Sequence, residues 1–318
     1  MSGVGSSSGN GTATATTVQT PAAMAVYVAA AAALLFWSGT AIANKIAVAQ
    51  IDPSSAGILR SMLAGLIAGG LALAFRLPFP RKAGQRGLLL LSGISSFAVW
   101  PGLMSLGLGY TTAGHAALIM AMLPAFTGLI AAAADRAWPR ASWWGGVALA
   151  AIGTFALIFY RGGGALAGEQ ASMTGDLIIL AGVVICALGY VCGGKLSPVM
   201  GTWATTFWGL AAATLVTIPT LAVLAHRTDW AAVDSAGWLA VAYMTFLSSL
   251  AGYAAWFWAL GHGGIARIGS WQLAMPVTTL AAAAVVLGDA ITWPLVVSGL
   301  AILAGTALAQ MPKRPARD

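Results

Sequence analysis

Gly109-Tyr-Thr-Thr-Ala-Gly-His-Ala-Ala-Leu-Ile-Met-Ala-Met-Leu-Pro124 aligns without gaps on Gly261-His-Gly-Gly-Ile-Ala-Arg-Ile-Gly-Ser-Trp-Gln-Leu-Ala-Met-Pro276. Identities are few, and the membrane gives the match its meaning. Five expected membrane spans separate the copies, and an odd number inverts the second against the first. Inverted repeats place two equivalent gates around one central site in many transporters.

Working outward, the whole chain reads as membrane-embedded. It is 59% apolar and 7% charged, with a mean hydropathy of +0.86. Soluble domains carry about 25% charged residues. Its 318 residues suit roughly ten spans of about 20 residues with short loops. The apolar runs place them near 24–46, 54–76, 87–108, 112–134, 142–160, 176–195, 202–224, 237–260, 268–288 and 292–310. The expected fold is all-α: ten transmembrane helices as two five-helix inverted repeats around a central cavity. The halves are 23–160 and 176–310, joined by a Gly- and Ala-rich linker loop at 161–175.

The net charge of +7 forms no stripe, so no nucleic-acid partner is expected. It sorts instead by side. With the N-terminus in the cytoplasm, Arg76, Arg81, Lys82, Arg86, Arg136, Arg140, Lys195, Arg267, Lys313, Arg314 and Arg317 fall inside. Only Lys45, Arg161 and Arg227 fall clearly outside. This excess inside sets the orientation, with both termini cytoplasmic. Asp52, Glu169, Asp176, Asp229, Asp234 and Asp289 lean outward. Residues 1–22, rich in Ser, Thr, Gly and Ala and free of charge, read as a disordered tail. They lack the basic n-region of a signal peptide. Residues 311–318 form a short basic tail. The two cysteines, Cys186 and Cys192, read as small buried hydrophobes.

Further echoes connect the halves. Gly39 precedes Lys45 as Gly189 precedes Lys195. Asp135 with Trp138-Pro139 is answered by Asp289 with Trp293-Pro294. Gly153-Thr154 is answered by Gly305-Thr306. They recur in the same order.

With these motifs the chain resembles the drug/metabolite transporter superfamily, EamA type. The likeness covers about residues 24–310. It rests on Phe36-Trp37-Ser38-Gly39, Arg60, Tyr110-Thr-Thr-Ala113, and the pairs Pro124 to Asp135 and Pro276 to Asp289. The family usually has Glu at those two span ends, where this chain has Asp. The resemblance implies a pseudosymmetric ten-helix carrier with a central cavity in a bacterial inner membrane. Within the superfamily the chain looks most like YddG-type exporters of aromatic amino acids.

Candidate functional residues follow from polarity and aromaticity inside spans. Pro101, Pro124, Pro219 and Pro276 each remove a backbone donor. Pro101, Pro124 and Pro276 are taken as hinges, the last two because their places match. Trp138, Trp143, Trp144, Trp230, Trp238 and Trp293 fall near span ends as interface anchors. Trp37, Trp100, Tyr190, Trp208, Tyr253, Trp256 and Trp271 fall deeper and suit a flat cargo. The polar side chains inside spans are Ser38, Thr40, Asn44, Arg60, Ser95, Ser96, His115, Ser248, Ser249 and Gln272. Ser and Thr commonly bond their own helix. Arg60 is the sharpest, since intramembrane charge is costly and marks function; snorkelling to the outer face is its structural alternative. The expected substrate-binding set is Trp37, Ser38, Asn44, Arg60, Trp100, His115, Tyr190, Tyr253, Trp256, Trp271 and Gln272. No metal or cofactor is expected.

The pattern favours a monomeric carrier exporting neutral and aromatic amino acids or similar metabolites by alternating access. With His115 the one span group titrating near neutral pH, weak or absent ion coupling is expected. A nucleotide sugar or lipid-linked cargo is the alternative within carriers. An enzyme would need clustered nucleophiles, acid/base pairs or metal ligands. The three histidines, 115, 226 and 262, fall in separate regions. A sensory protein would need a sizeable soluble domain, which the sequence lacks.

Overall fold

Asp52 and Pro53 open a helix together. The Asp52 carboxylate accepts from the Ser55 N–H at 3.0 Å, and Pro53 fills the first turn, where no donor is needed. The same chemistry starts three more helices. Thr112 accepts from the His115 N–H, Ser172 from that of Gly175, and Asp234 from that of Gly237.

The computed structural model describes residues 23–136, 139, 141–159, 171–263, 271 and 274–310. Among them the regular structure is all helical, with no strand. In chain order these are α1 (Ala23–Val48), α2 (Pro53–Ala74), α3 (Ala83–Leu108), α4 (Ala113–Asp135) and α5 (Ala141–Phe159). They are followed by α6 (Met173–Met200), α7 (Thr202–Leu224), α8 (235–263), α9 (Met275–Val286) and α10 (Trp293–Gln310). Seven described helices are long and apolar enough to cross a membrane; three stretches, within α5, α9 and α10, are shorter and apolar. Large apolar side chains such as Leu35, Leu73, Leu215 and Val285 point outward, the arrangement that a bilayer solvates.

Boundaries differ from expectation where caps decide them. Ser172 starts α6 ahead of the expected 176, and Gly201 at φ 85° ends it past the expected 195. The expected tails, most of the linker, Trp138, Arg140, Arg267 and Gln272 lie outside the described residues.

Packing pairs the two halves reciprocally. α1 lies against α8 and α9, and α6 lies against α3 and α4. α2 packs on α7, and α5 on α10. Small residues permit the last contact: a Cβ at Gly146 would strike the Gly305 carbonyl. Two helices change pitch midway. α3 is π-helical over Ile94–Val99 and α8 over Tyr243–Ala251. Both segments contain a Ser-Ser pair, Ser95-Ser96 and Ser248-Ser249. Against each sits one of the echoed glycines. A Cβ at Gly39 would strike the Tyr243 hydroxyl, and one at Gly189 the Ser96 hydroxyl.

Some sequence expectations change here. Trp143 is buried against Gly128 at the α4–α5 contact instead of anchoring at an interface. Trp208 is not deep: its Nε1–H donates to the Leu77 carbonyl at 3.3 Å and its ring meets Phe79 beyond the end of α2. Trp144, Trp238 and Trp293 are exposed. Cys186 and Cys192 are buried with free thiols.

Candidate functional site

α4 is interrupted. Its helix stops at Met120, turns through Ala121 and Met122, and resumes at Leu123 with Pro124 in the new first turn. Pro124 cannot donate to the Met120 carbonyl, so the continuous ladder ends there. Within an apolar bundle, freed carbonyls must find side-chain or water partners. Thr306 of α10 supplies one, its hydroxyl donating to the Ala121 carbonyl at 3.2 Å. α9 likewise begins with Pro276 in its first turn. Pro101 follows the π-helical stretch of α3 and opens its next α-helical segment. Pro219 lies within α7.

A cavity of about 380 Å³ opens between these interrupted helices. Of the expected site residues, the structure brings Trp37, Arg60, Trp100, Tyr190, Tyr253, Pro124 and Pro276 onto its wall. Both halves contribute at matching sequence positions: Pro124 with Pro276, Leu123 with Met275, and Trp100 with Tyr253, each aromatic following a Ser-Ser pair. Thr40 and Tyr190, each one residue beyond its echoed glycine, complete the pattern.

The aromatic wall is built by ring contacts. Trp37 meets Tyr253 edge-on at 5.4 Å, and Phe97 meets Tyr253 at 5.5 Å. Trp37 Nε1–H donates to the Ser248 carbonyl at 3.0 Å, and the Thr40 and Ser248 hydroxyls are 2.7 Å apart. These bonds tie α1 to the π-helical turn of α8. π-Helical turns are frequent at functional sites, because they release backbone groups from the regular ladder.

Arg60 differs from everything around it. It is only 7% exposed, yet its Nε and Nη1 have no hydrogen-bond partner. It lines the cavity and does not snorkel to an end. Among the described lining residues there is no Asp or Glu.

The remaining expected residues lie elsewhere. Ser38 bonds the Leu34 carbonyl and the Thr278 hydroxyl at the α1–α9 contact. Asn44 accepts from the Ser105 hydroxyl at 2.7 Å between α1 and α3, with its Nδ2 unpartnered. His115 pairs with Asp176 at 2.9 Å near one end of the bundle. Trp256 packs behind Trp37 at 5.4 Å, and Trp271 stacks on Tyr27 at 5.3 Å. Pro101 presses its carbonyl toward Gly57 of α2. Thr40, Ser248, Ser249, Met104, Met120 and Thr127, outside the expected substrate-binding set, also lie on the wall. Bonding to its own helix is the sequence expectation for such a hydroxyl, and Thr40 and Ser249 do so as well as lining the wall. The signal for the serines was the repeated Ser-Ser pair ahead of a deep aromatic.

Comparison with known proteins follows the same division of the chain. The EamA-like transporter family matches twice, over residues 24–159 and 173–311. The "Uncharacterized transporter YdeK" of Bacillus subtilis is 33% identical over 282 residues, covering 87% of this chain and 94% of its own. The "Probable amino-acid metabolite efflux pump" of Salmonella typhimurium is 29% identical over 170 residues, about half of each chain. The "Uncharacterized inner membrane transporter YedA" of Escherichia coli K12 is 26% identical over 253 residues, 78% of each. A solved crystal structure covers 90% of this chain and 96% of its own, with a TM-score of 0.57 and 21% identity, a likeness of fold. With two family matches spanning nearly all of its apolar length, the chain belongs to the EamA-like transporter family and is a multi-pass membrane transporter.

Proposed function

We propose that this transporter exports neutral and aromatic amino acids or similar small metabolites by alternating access around the cavity between α4 and α9. The observation that carries the reading is the paired wall: Pro124 and Pro276, and Trp100 and Tyr253, meet at one cavity from opposite halves. Interrupted helices and matched halves are the parts from which alternating-access carriers are built. In this reading ten spans form two inverted halves, divided at the 161–175 linker, in a monomer with both termini cytoplasmic. The charge sorting supports that orientation. The resemblance to YddG-type exporters of aromatic amino acids supports this cargo, as does the name of the Salmonella relative.

A nucleotide-sugar cargo is disfavoured by the wall, whose described residues include one cation for a doubly charged diphosphate. Among its described residues the wall holds no acid either, which supports weak or absent proton coupling. The test is uptake into proteoliposomes of labelled aromatic, small neutral and charged amino acids beside a nucleotide sugar. Aromatic and neutral amino acids should move without an imposed pH gradient. Movement of the nucleotide sugar alone would refute the reading, and strict dependence on a pH gradient would refute its energetics.

A further inference from the structure

We propose that Arg60 makes the cavity a carboxylate site that does not read an α-amino group. The cargo class is then small monocarboxylates with an apolar or aromatic body, of which amino acids are one member. The inference rests on the carrier reading above and narrows it to the cargo's charge.

Three observations carry it. First, Arg60 is buried with two guanidinium nitrogens unpartnered at the cavity wall. A buried cation without a partner is destabilising, and any apolar residue would fit an apolar bundle at less cost. Arg60 lines the cavity, so a partner for it can arrive from there, and a planar guanidinium matches a carboxylate through two parallel hydrogen bonds. Second, the described wall holds no carboxylate to meet an ammonium. Third, the charge is one-sided. The prolines and aromatics of the wall come in matched pairs, but α7, the partner of α2, has no charged residue in Thr202–Leu224. A feature needed by two equivalent gates would be duplicated. A feature needed by one polar cargo need not be.

The experiment measures binding to the full chain in nanodiscs, by thermal shift and intrinsic tryptophan fluorescence. The probes share one ring and chain length: 3-phenylpropionate, L-phenylalanine, 3-phenylpropanamide and phenethylamine. The two carboxylates should bind within about threefold of each other, and the amide and amine at least about tenfold more weakly, the scale of one charge-assisted hydrogen bond. Arg60→Gln should abolish the carboxylate preference, bringing acid and amide to within about threefold of each other, and Arg60→Lys should keep the order of preference. The empty Arg60→Gln protein should melt no lower than the wild type, since a lone buried charge has been removed. Unchanged carboxylate affinity in Arg60→Gln would overturn the assignment. So would binding of L-phenylalanine without binding of 3-phenylpropionate. If Arg60→Gln is not monodisperse, the wild-type order decides, and equal affinities for acid, amide and amine refute the site. Transport separates the two proposals. Phenylalanine flux that survives in Arg60→Gln with its affinity intact removes the carboxylate site and leaves the carrier. Carboxylate binding at Arg60 without any flux leaves the site and removes the carrier.

Discussion

Nδ1 of His115 lies 2.9 Å from Oδ2 of Asp176, and both side chains are buried. The Thr111 hydroxyl donates to the other carboxylate oxygen at 2.6 Å. The cluster joins the start of α4 to the start of α6. Beside it Lys45, also buried, donates to the Leu108 and Thr111 carbonyls at 2.9 and 3.0 Å. Its sequence counterpart Lys195 meets Asp135 at 2.7 Å, but with both side chains largely in the open. The two lysines, one from each half, are therefore buried to different depths.

Asp176→Asn should destabilise the protein by about 1–3 kcal/mol, because the buried His115 ring and Thr111 hydroxyl lose their carboxylate partner. His115→Ala should also destabilise it, and the double variant should lose much less than the sum of the two singles. Unfolding in detergent checks this. Additive losses would mean that the two residues act separately.

The contrast between the lysines gives a second expectation. Lys195→Met should change stability by less than about 1 kcal/mol, because exposed pairs contribute little. Lys45→Met should cost about 1.5–3 kcal/mol or more, since charged hydrogen bonds to two buried carbonyls are lost. Equal effects would show that burial does not set what the two lysines contribute.

Much of this architecture was legible in the chain. The Gly39–Gly189 and Pro124–Pro276 echoes were visible as spacing, and both mark real junctions: the glycines lie against π-helical turns and the prolines at a cavity. Arg60 stood out because a charge within an apolar run has few places to go. What stayed hidden depends on helix phase. Asn44 and His115 look as exposed to a cavity as Thr40 does until the packing of α1 on α3 and of α4 on α6 is known. The π-helical turns were invisible because periodicity assumes one pitch throughout. Trp143 and Trp208 exchanged roles for a related reason: distance from a span end does not report which face a ring occupies.

Gly39→Ala and Gly189→Ala should each destabilise the fold by about 1–3 kcal/mol, the usual cost of overpacking a tight contact. Gly194→Ala is the control, because a Cβ there meets nothing within 4 Å. Removing that helix-interior glycine should be neutral or stabilising by about 0.5–1 kcal/mol. Thermal unfolding of the three variants measured together checks the order.

Asp234 sets a pH-dependent term outside the spans. The Gly237 N–H, donating at 3.0 Å, and the Gln50 side-chain amide, at 2.8 Å, hold its carboxyl below the ordinary aspartate range. A group whose folded pKa is lowered stabilises the fold above its unfolded pKa, about 3.9, and loses that contribution as pH falls through the folded value. The melting temperatures of wild type and Asp234→Ala should therefore differ at pH 7 and converge below about pH 4. A difference that persists unchanged at low pH would show that the carboxylate's charge is not what caps α8.

Pro124→Ala tests whether the interruption of α4 serves movement or only shape. Alanine restores a donor for the Met120 carbonyl and favours a continuous helix from Ala113 to Asp135. If the break is a hinge, a stiffened α4 should lower the maximal transport rate several-fold while leaving cargo affinity within about threefold, because conformational steps set the turnover of many such cycles. Stability should rise or stay level, since a helix-breaking residue has been removed. Pro101→Ala, at the π-helical segment of α3, should affect turnover less, because Pro101 does not line the cavity. Unchanged turnover in Pro124→Ala with unchanged affinity would make the break a fixed feature of the wall, there to shape the site beside Leu123 and Met120 and not to move.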